Sequence, residues 1–335
     1  MLRIMLSALA LGALAQTARA EDAGPQQSVV AAPPQAVAVG VTLIPGDFPP
    51  DRGPDGNTVV FTAPDGLVVI DTGRHVWHSD AILAFAAAQH RPIAAIVNTH
   101  WHLDHTSGNR RLQAVFPQAQ IYATNAIDRA LGPDGFLTRN LANAQATLND
   151  PNASATDKDE TQMFLDTMAH SASLRPDVAV TQSGPMRLAG RRLDMYVTDG
   201  AVTDADIWLY DKHTHVAVVG DLVTLPAPFF ETACPQRWSA ALDQVWATPF
   251  AIAIPGHGDP MTRVQFDTYR HAYNAFVTCV RGTTAAHDCA TAWAQDIAVF
   301  LPEDRDRRAA ISMADYYVGM LREHGGKSAA CLRES

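Results

Sequence analysis

A formal charge of −10 on 335 residues repels phosphate backbones and anionic lipid heads, so nucleic acid and membrane surfaces are excluded as expected partners and a small-molecule ligand is favoured. With 47% apolar and 18% charged residues, the composition is that of a globular protein. The chain is long enough for one large domain with an ample core.

The segment from Met1 to Ala20 carries a basic residue at Arg3, an apolar middle, and the small-x-small pattern Ala18-Arg19-Ala20 before Glu21. That is the pattern of a secretory signal peptide, so the expected location is periplasmic or extracellular. Its apolar run is too short to span a bilayer, and no later run reaches the roughly 18 residues a span needs. Cleavage after Ala20 removes Arg3 and Arg19 and no acid, moving the formal charge from −10 to −12.

Residues 21–36 are polar and proline-rich and are expected to form a flexible leader. A main domain is expected over 37–280, with a helical insertion at 125–174 and a C-terminal helical extension at 281–335. Loose alternation from Val37 to Leu43, then Thr58 to Thr62 and Leu67 to Ile70 across the turn Ala63-Pro64-Asp65-Gly66, predicts consecutive strands. Asp71-Thr72-Gly73 ends the last of them. His78 to Gln89 has the spacing of a helix with Ile82, Leu83, Phe85 and Ala86 on its apolar side and Ser79 or Asp80 as cap.

Ile93 to Val97 is a short β-branched run read as a buried strand. Directly after it, His100, His102, Asp104 and His105 place three of the thirteen histidines and a carboxylate within six positions. On an extended backbone residues two apart point the same way, so His100 and His102 can present imidazoles to one point while Asp104 and His105 serve another. Imidazole and carboxylate donors suit Zn²⁺ best, with Fe or Mn also compatible.

Arg110 to Phe116 predicts a helix stopped by Pro117, and Gln120 to Ala123 a strand. Residues 125–174 are helical in pattern, with breaks at Gly132 to Gly135 and Asn149 to Asn152, longer than a connection needs to be. Strands are predicted on both sides of Ala189-Gly190 and in a hairpin of Asp206 to Tyr210 with His215 to Val219, ended by Gly220-Asp221. Pro235 to Ala247 reads as a helix. A strand from Phe250 to Ile254 then runs into Pro255-Gly256-His257-Gly258, a long helix follows from Thr262 to Val280, and further helices begin near Ala290.

Four cysteines, Cys234, Cys279, Cys289 and Cys331, allow three pairings in an oxidising compartment. The turn-like residues Arg281 to Thr284 favour Cys279 with Cys289, leaving Cys234 for Cys331.

The run His100 to His105 resembles the His-x-His-x-Asp-His motif of the metallo-β-lactamase superfamily, and the Gly220-Asp221 and Pro-Gly-His-Gly pieces follow in that family's order. The resemblance implies an α/β fold, an αββα sandwich of two mixed sheets flanked by helices, with metal held at the lip between them. It implies one site of His100 and His102, a second of Asp104, His105 and His257, Asp221 shared by both, and Asp71 beneath as an orienting carboxylate. Val202 stands where the family has a further ligand histidine, although the flanking Thr203 and Asp206 match.

Valine has no lone pair, so one tightly bound zinc is expected and a second weak or absent. His75, His78, Asp199 and Asp204 are the neighbours able to supply a replacement ligand. The expected activity is that of a secreted zinc-dependent hydrolase that cleaves an ester, lactone or amide bond, β-lactams included, through a metal-bound hydroxide. Asp104 would hold the catalytic zinc, and His100 or His102 would act as general base, since an unperturbed imidazole titrates near pH 6.5. The alternative that Val202 raises is a family member that binds metal or a ligand without turnover.

Overall fold

Period-two alternation in the strands decides which side chain faces which layer. The structure, a computed structural model, describes residues 31–328 and 331; the expected signal peptide and all of the expected leader before residue 31 lie outside the described residues. In chain order the elements are β1 (Gln35–Ala38), β2 (Val41–Ile44), β3 (Thr58–Ala63), β4 (Gly66–Ile70), α1 (Val76–Ala88), β5 (Ile93–Val97), α2 (Leu103–Thr106), α3 (Asn109–Val115) and β6 (Gln120–Ala123). There follow α4 (Ala126–Ala130), α5 (Phe136–Asn149), α6 (Ala155–Ala169), β7 (Val178–Ala179), β8 (Gly184–Leu188), β9 (Arg191–Asp199), β10 (Ala205–Asp211) and β11 (Val216–Thr224). The chain continues with α7 (Pro235–Trp246), β12 (Ile252–His257), β13 (Met261–Thr262), α8 (Arg263–Arg281), α9 (Ala286–Asp296) and α10 (Asp304–Glu323).

The strands form two mixed sheets. One has seven strands in the order β1 to β7, antiparallel up to β4 and parallel from there on. The other has six in the order β13-β12-β11-β10-β9-β8, and only β11 with β12 is parallel.

Along β10, Ile207 and Leu209 face the first sheet while Trp208 and Tyr210 face the helices behind. Along β4, Val68 and Ile70 face inward while Leu67 and Val69 pack with Ile82 of α1 and Leu112 of α3. The result is the four-layer αββα sandwich. Helices α7 to α10 share one core with the second sheet, anchored by fully buried Trp208, Trp238 and Trp293; burying each such side chain stabilises the fold by about 1.5–3 kcal/mol. Cys234 is bonded to Cys331 and Cys279 to Cys289, and no described helix is long and apolar enough to cross a membrane.

Helices α4 to α6 build a small separate core from Ile127, Leu137, Ala144 and Phe164, closed by Trp101 and Leu103 of the histidine loop. The insertion is therefore packed directly on that loop.

Three local expectations need correction. Helix α1 begins at Val76 with His75 as N-cap and no side-chain cap; Ser79 Oγ donates back to the His75 carbonyl and Asp80 pairs with Arg111 instead. Strand β11 does not stop before Gly220-Asp221. It runs on to Thr224, because pairing with β12 resumes past an irregularity at Gly220↔Pro255 and Thr224↔His257. For the same reason β12 includes His257 rather than ending in a turn before it.

Candidate metal centre

The main chain leaves β5 extended through His102 (φ −56°, ψ 143°) and then turns into α2. The change of backbone throws His100 and His102 to one side and Asp104 and His105 to another. The loop is tied to both sheets: Asn98 N–H donates to the Tyr122 carbonyl, and Ile207 N–H donates to the Thr99 carbonyl. Asp221 arrives from β11 and His257 from the end of β12. All of these side chains are buried except His257, which is partly exposed.

Asp221 faces two ways. Its Oδ2 lies 3.6 Å from His100 Nε2 and 4.0 Å from His102 Nδ1, while its Oδ1 lies 3.1 Å from His105 Nε2 and 3.6 Å from His257 Nε2. On the second side His105 Nε2, His257 Nε2 and Asp104 Oδ2 form a triangle with sides of 3.3, 3.6 and 3.0 Å. Two donor atoms bound to a tetrahedral zinc at about 2.0–2.1 Å stand about 3.3–3.4 Å apart. The triangle therefore has the dimensions of one face of a zinc site.

Asp104, His105 and His257 form one group able to hold a metal ion, and His100, His105 and Asp221 another. His102 stands farther from the shared carboxylate and belongs to neither group. The donor chemistry fits a cation as well. His100 Nε2 and Asp221 Oδ1 are buried without a hydrogen-bond partner, a costly state that coordination would relieve.

Beneath the loop, Asp71 adopts φ +60°, a left-handed conformation that an aspartate tolerates better than most residues. From there its Oδ1 accepts Thr99 N–H at 2.7 Å, and its Oδ2 accepts Thr99 Oγ1–H at 2.7 Å and His105 Nδ1–H at 2.8 Å. Since the Thr99 proton is committed to Asp71, Thr99 Oγ1 accepts from His100 Nδ1–H at 3.0 Å. In its neutral form each imidazole then carries its lone pair on Nε2, the atom that faces Asp221.

Burial alone would strip His105 of a proton, but the charges of Asp221, Asp71 and Asp104 outweigh it and hold the imidazolium well above its ordinary range. Three carboxylates thus favour a cation at this point. Burial and the neighbouring His105 charge push His100 well below its ordinary value, and burial drives His102 down to about 4. Neither is an unperturbed imidazole titrating near pH 6.5, which corrects the premise of the general-base expectation. Burial would raise Asp104, yet His105, the hydrogen bond from His257 and the charge of Arg74 hold its carboxyl well below the usual range.

None of the four replacement ligands joins the cluster. His75 lies between Asp55 and Glu160 at 2.8 and 3.0 Å, and His78 Nε2 pairs with Thr58 Oγ1. Asp204 is bonded to Arg129 and Asp199 lies 3.7 Å from Arg237. Val202 is buried in the core behind the second sheet. Its N–H donates to Asp206 Oδ2, and Thr203 donates to Asp206 Oδ1 through both N–H and Oγ1–H. The matching Thr203 and Asp206 thus shape the turn.

Sequence reasoning passed over the 45–57 loop. Gly56 N–H donates to the Asp104 carbonyl, and Asn57 Nδ2–H donates to the carbonyls of Pro255 and Gly258, so this loop fastens both ligand loops together. Thr232 was passed over too; its Oγ1 lies 2.8 Å from His102 Nε2. The Gly and Asn of Gly56-Asn57 were the available signal, read only as punctuation before a strand. Beside His102 lies a cavity of about 270 Å³ walled by Trp101, Phe136, Thr232 and the loop between α4 and α5.

Comparison with known proteins follows the same outline. The family described as the metallo-beta-lactamase superfamily matches residues 51–257. A linear primary-alkylsulfatase from Pseudomonas sp. is 27% identical over 220 residues, covering 61% of this chain and 41% of the relative, so the chain spans less than half of that protein's length. Among solved structures, a metallo-beta-lactamase from Pontibacter korlensis superposes with a TM-score of 0.52 at 18% identity, covering 72% of this chain and 98% of the other. A sec-alkylsulfatase from Pseudomonas sp. gives 0.57 at 18% identity, covering 86% and 49%.

Proposed function

Because the chain belongs to the metallo-β-lactamase superfamily, we propose that it is an exported, zinc-dependent hydrolase of a small-molecule ester, lactone or amide. The observation that carries this reading is the two-faced carboxylate of Asp221, with a donor triangle of zinc-site dimensions on one side. In this reading Asp104, His105 and His257 hold one zinc tightly with Asp221 at its edge. His100, His102 and Asp221 form a weaker half-site, since Val202 contributes no donor side chain.

Asp104, His105, His257 and Asp221 would hold a zinc that, when bound, would supply Lewis-acid chemistry for the scissile group and for activating water. The chain's own residues do the positioning. Asp71 holds His105 directly and His100 through Thr99, fixing which nitrogen each presents. Burial keeps His100 and His102 neutral, the state a ligand needs, while His105, held cationic by three carboxylates, would give up its Nε2 proton to a bound metal. The cavity meets the cluster through Thr232, which touches His102, and its wall joins apolar Trp101 and Phe136 to charged Arg129, Asp134 and Asp204. The two disulfides support an oxidising compartment and hence export.

The test is a panel of carboxylic esters, lactones, a cephalosporin and linear alkyl sulfates, the last included because of the alkylsulfatase relative. At least one is expected to be cleaved in a chelator-sensitive way, with activity lost in Asp104→Ala and His257→Ala. Zinc bound but no turnover across the panel would carry the second reading, binding without catalysis, which the valine at position 202 favours.

A further inference from the structure

His102 is the one histidine of the loop that Asp71 does not reach, and its orientation comes from the other sheet. Thr232, buried in the segment between β11 and α7, places Oγ1 3.0 Å from the Val202 carbonyl oxygen and 2.8 Å from His102 Nε2. A hydroxyl has one proton to give, and a carbonyl oxygen only accepts. Both hydrogen bonds coexist in a single arrangement: Thr232 Oγ1–H donates to Val202, and His102 Nε2–H donates to Thr232. The neutral imidazole then keeps its lone pair on Nδ1, the atom 4.0 Å from Asp221 Oδ2.

We infer that Thr232 is a positioning residue that holds His102 in the Nε2–H tautomer, so that Nδ1 is presented to the weaker half-site as a preformed donor. Position 202 contributes to that half-site through its main-chain carbonyl, which takes the Thr232 proton. The ring is also held at its edges by Trp101 and Phe229, with centroids 4.8 and 5.3 Å away and interplanar angles of 89° and 85°. Those contacts fix the plane of the ring but not its proton. Orientation is thus shared between apolar edges and one hydroxyl.

The inference takes from the proposed function only that His102 faces a cation. Its test therefore reads the metal-free protein first. Long-range ¹H–¹⁵N correlation spectra of the full chain should place the His102 proton on Nε2 in wild type and in Thr232→Ser, and show a mixed or Nδ1–H tautomer in Thr232→Val. Titration with zinc against a competing chelator should then show the weaker site lowered by about 10–100-fold in Thr232→Val, with the tight site and Thr232→Ser unchanged. An Nδ1–H tautomer in wild type, or a Thr232→Val protein with wild-type tautomer and wild-type zinc affinities, overturns the inference. Absence of hydrolase activity would leave the spectrum unaffected, so the two readings fail separately.

Discussion

A Cβ at position 256 would lie 1.9 Å from Asp221 Oδ1, so the backbone of the Pro-Gly-His-Gly stretch is the wall against which the shared carboxylate rests. Glycine at 256 makes room for a neighbouring side chain and needs no unusual backbone angle. A methyl group there must displace the carboxylate and also presses on the β11 main chain, 2.8 Å from Asp221 N and 2.9 Å from the Gly220 carbonyl carbon, at an overpacking cost of about 1–3 kcal/mol. Gly256→Ala is therefore expected to lose zinc nearly as completely as Asp221→Ala while still folding. Metal content and thermal melting, measured on the same samples, check this. A Gly256→Ala protein with full zinc content would show that the carboxylate's place is not set by this contact. At this scale the histidines, Asp221 and His257 were legible in the sequence, because motif spacing carries their chemistry. Thr232 was not: it is 130 residues from His102, and no local pattern marks a threonine whose partner comes from the other sheet.

Among the elements, the insertion is joined to the site's framework by a buried clasp. Asp55 accepts the main-chain N–H groups of Arg74 and His75 and pairs with His75 Nδ1, and Glu160 of α6 pairs with His75 Nε2 and with Arg52. Trp77 stacks on the His75 ring with centroids 3.9 Å apart. Burial would lower the His75 pKa, but the hydrogen bonds of Asp55 and Glu160 override it and raise it. Burial would likewise raise both carboxyls, yet His75 holds each of them down.

The histidine's contribution is full below its ordinary value of 6.5 and is lost as pH rises through its raised value. The carboxylates' contributions are full above 3.8 and 4.5 and are lost as pH falls through their lowered values. The clasp is complete between these limits. His75→Asn removes the charge between the two carboxylates, while Asp55 keeps the main-chain N–H groups of residues 74 and 75 and Glu160 keeps Arg52, so the expected cost is about 1–3 kcal/mol. The deficit in melting temperature relative to wild type should be largest near pH 5–6 and shrink as pH rises past 7. A deficit constant from pH 5 to 9 would show that His75 serves only as packing.

Helix and strand cores were legible because period 3.6 and period 2 are local signals. The clasp was not, since the loop that carries Asp55 has no period and meets α6 more than a hundred residues later.

For the whole molecule, the four layers followed from alternation within each strand. The centre is assembled where strand ends of both sheets meet, and its proposed asymmetry is what the metal content would reveal. One side of Asp221 has a triangle of donors at ligand spacing; the other has two imidazoles at 3.6 and 4.0 Å, and Val202, which the motif resemblance aligns with a further ligand histidine, is buried in the core behind the second sheet. The sequence pointed to that asymmetry through Val202 alone. It offered His75, His78, Asp199 and Asp204 as replacements, and tertiary pairing commits each of them elsewhere.

The direct test is elemental analysis of the purified full chain after dialysis against a weak chelator, in wild type and His257→Ala. The asymmetric centre predicts one zinc per wild-type chain and almost none in His257→Ala. Two retained zincs in wild type, or unchanged zinc in His257→Ala, would contradict it.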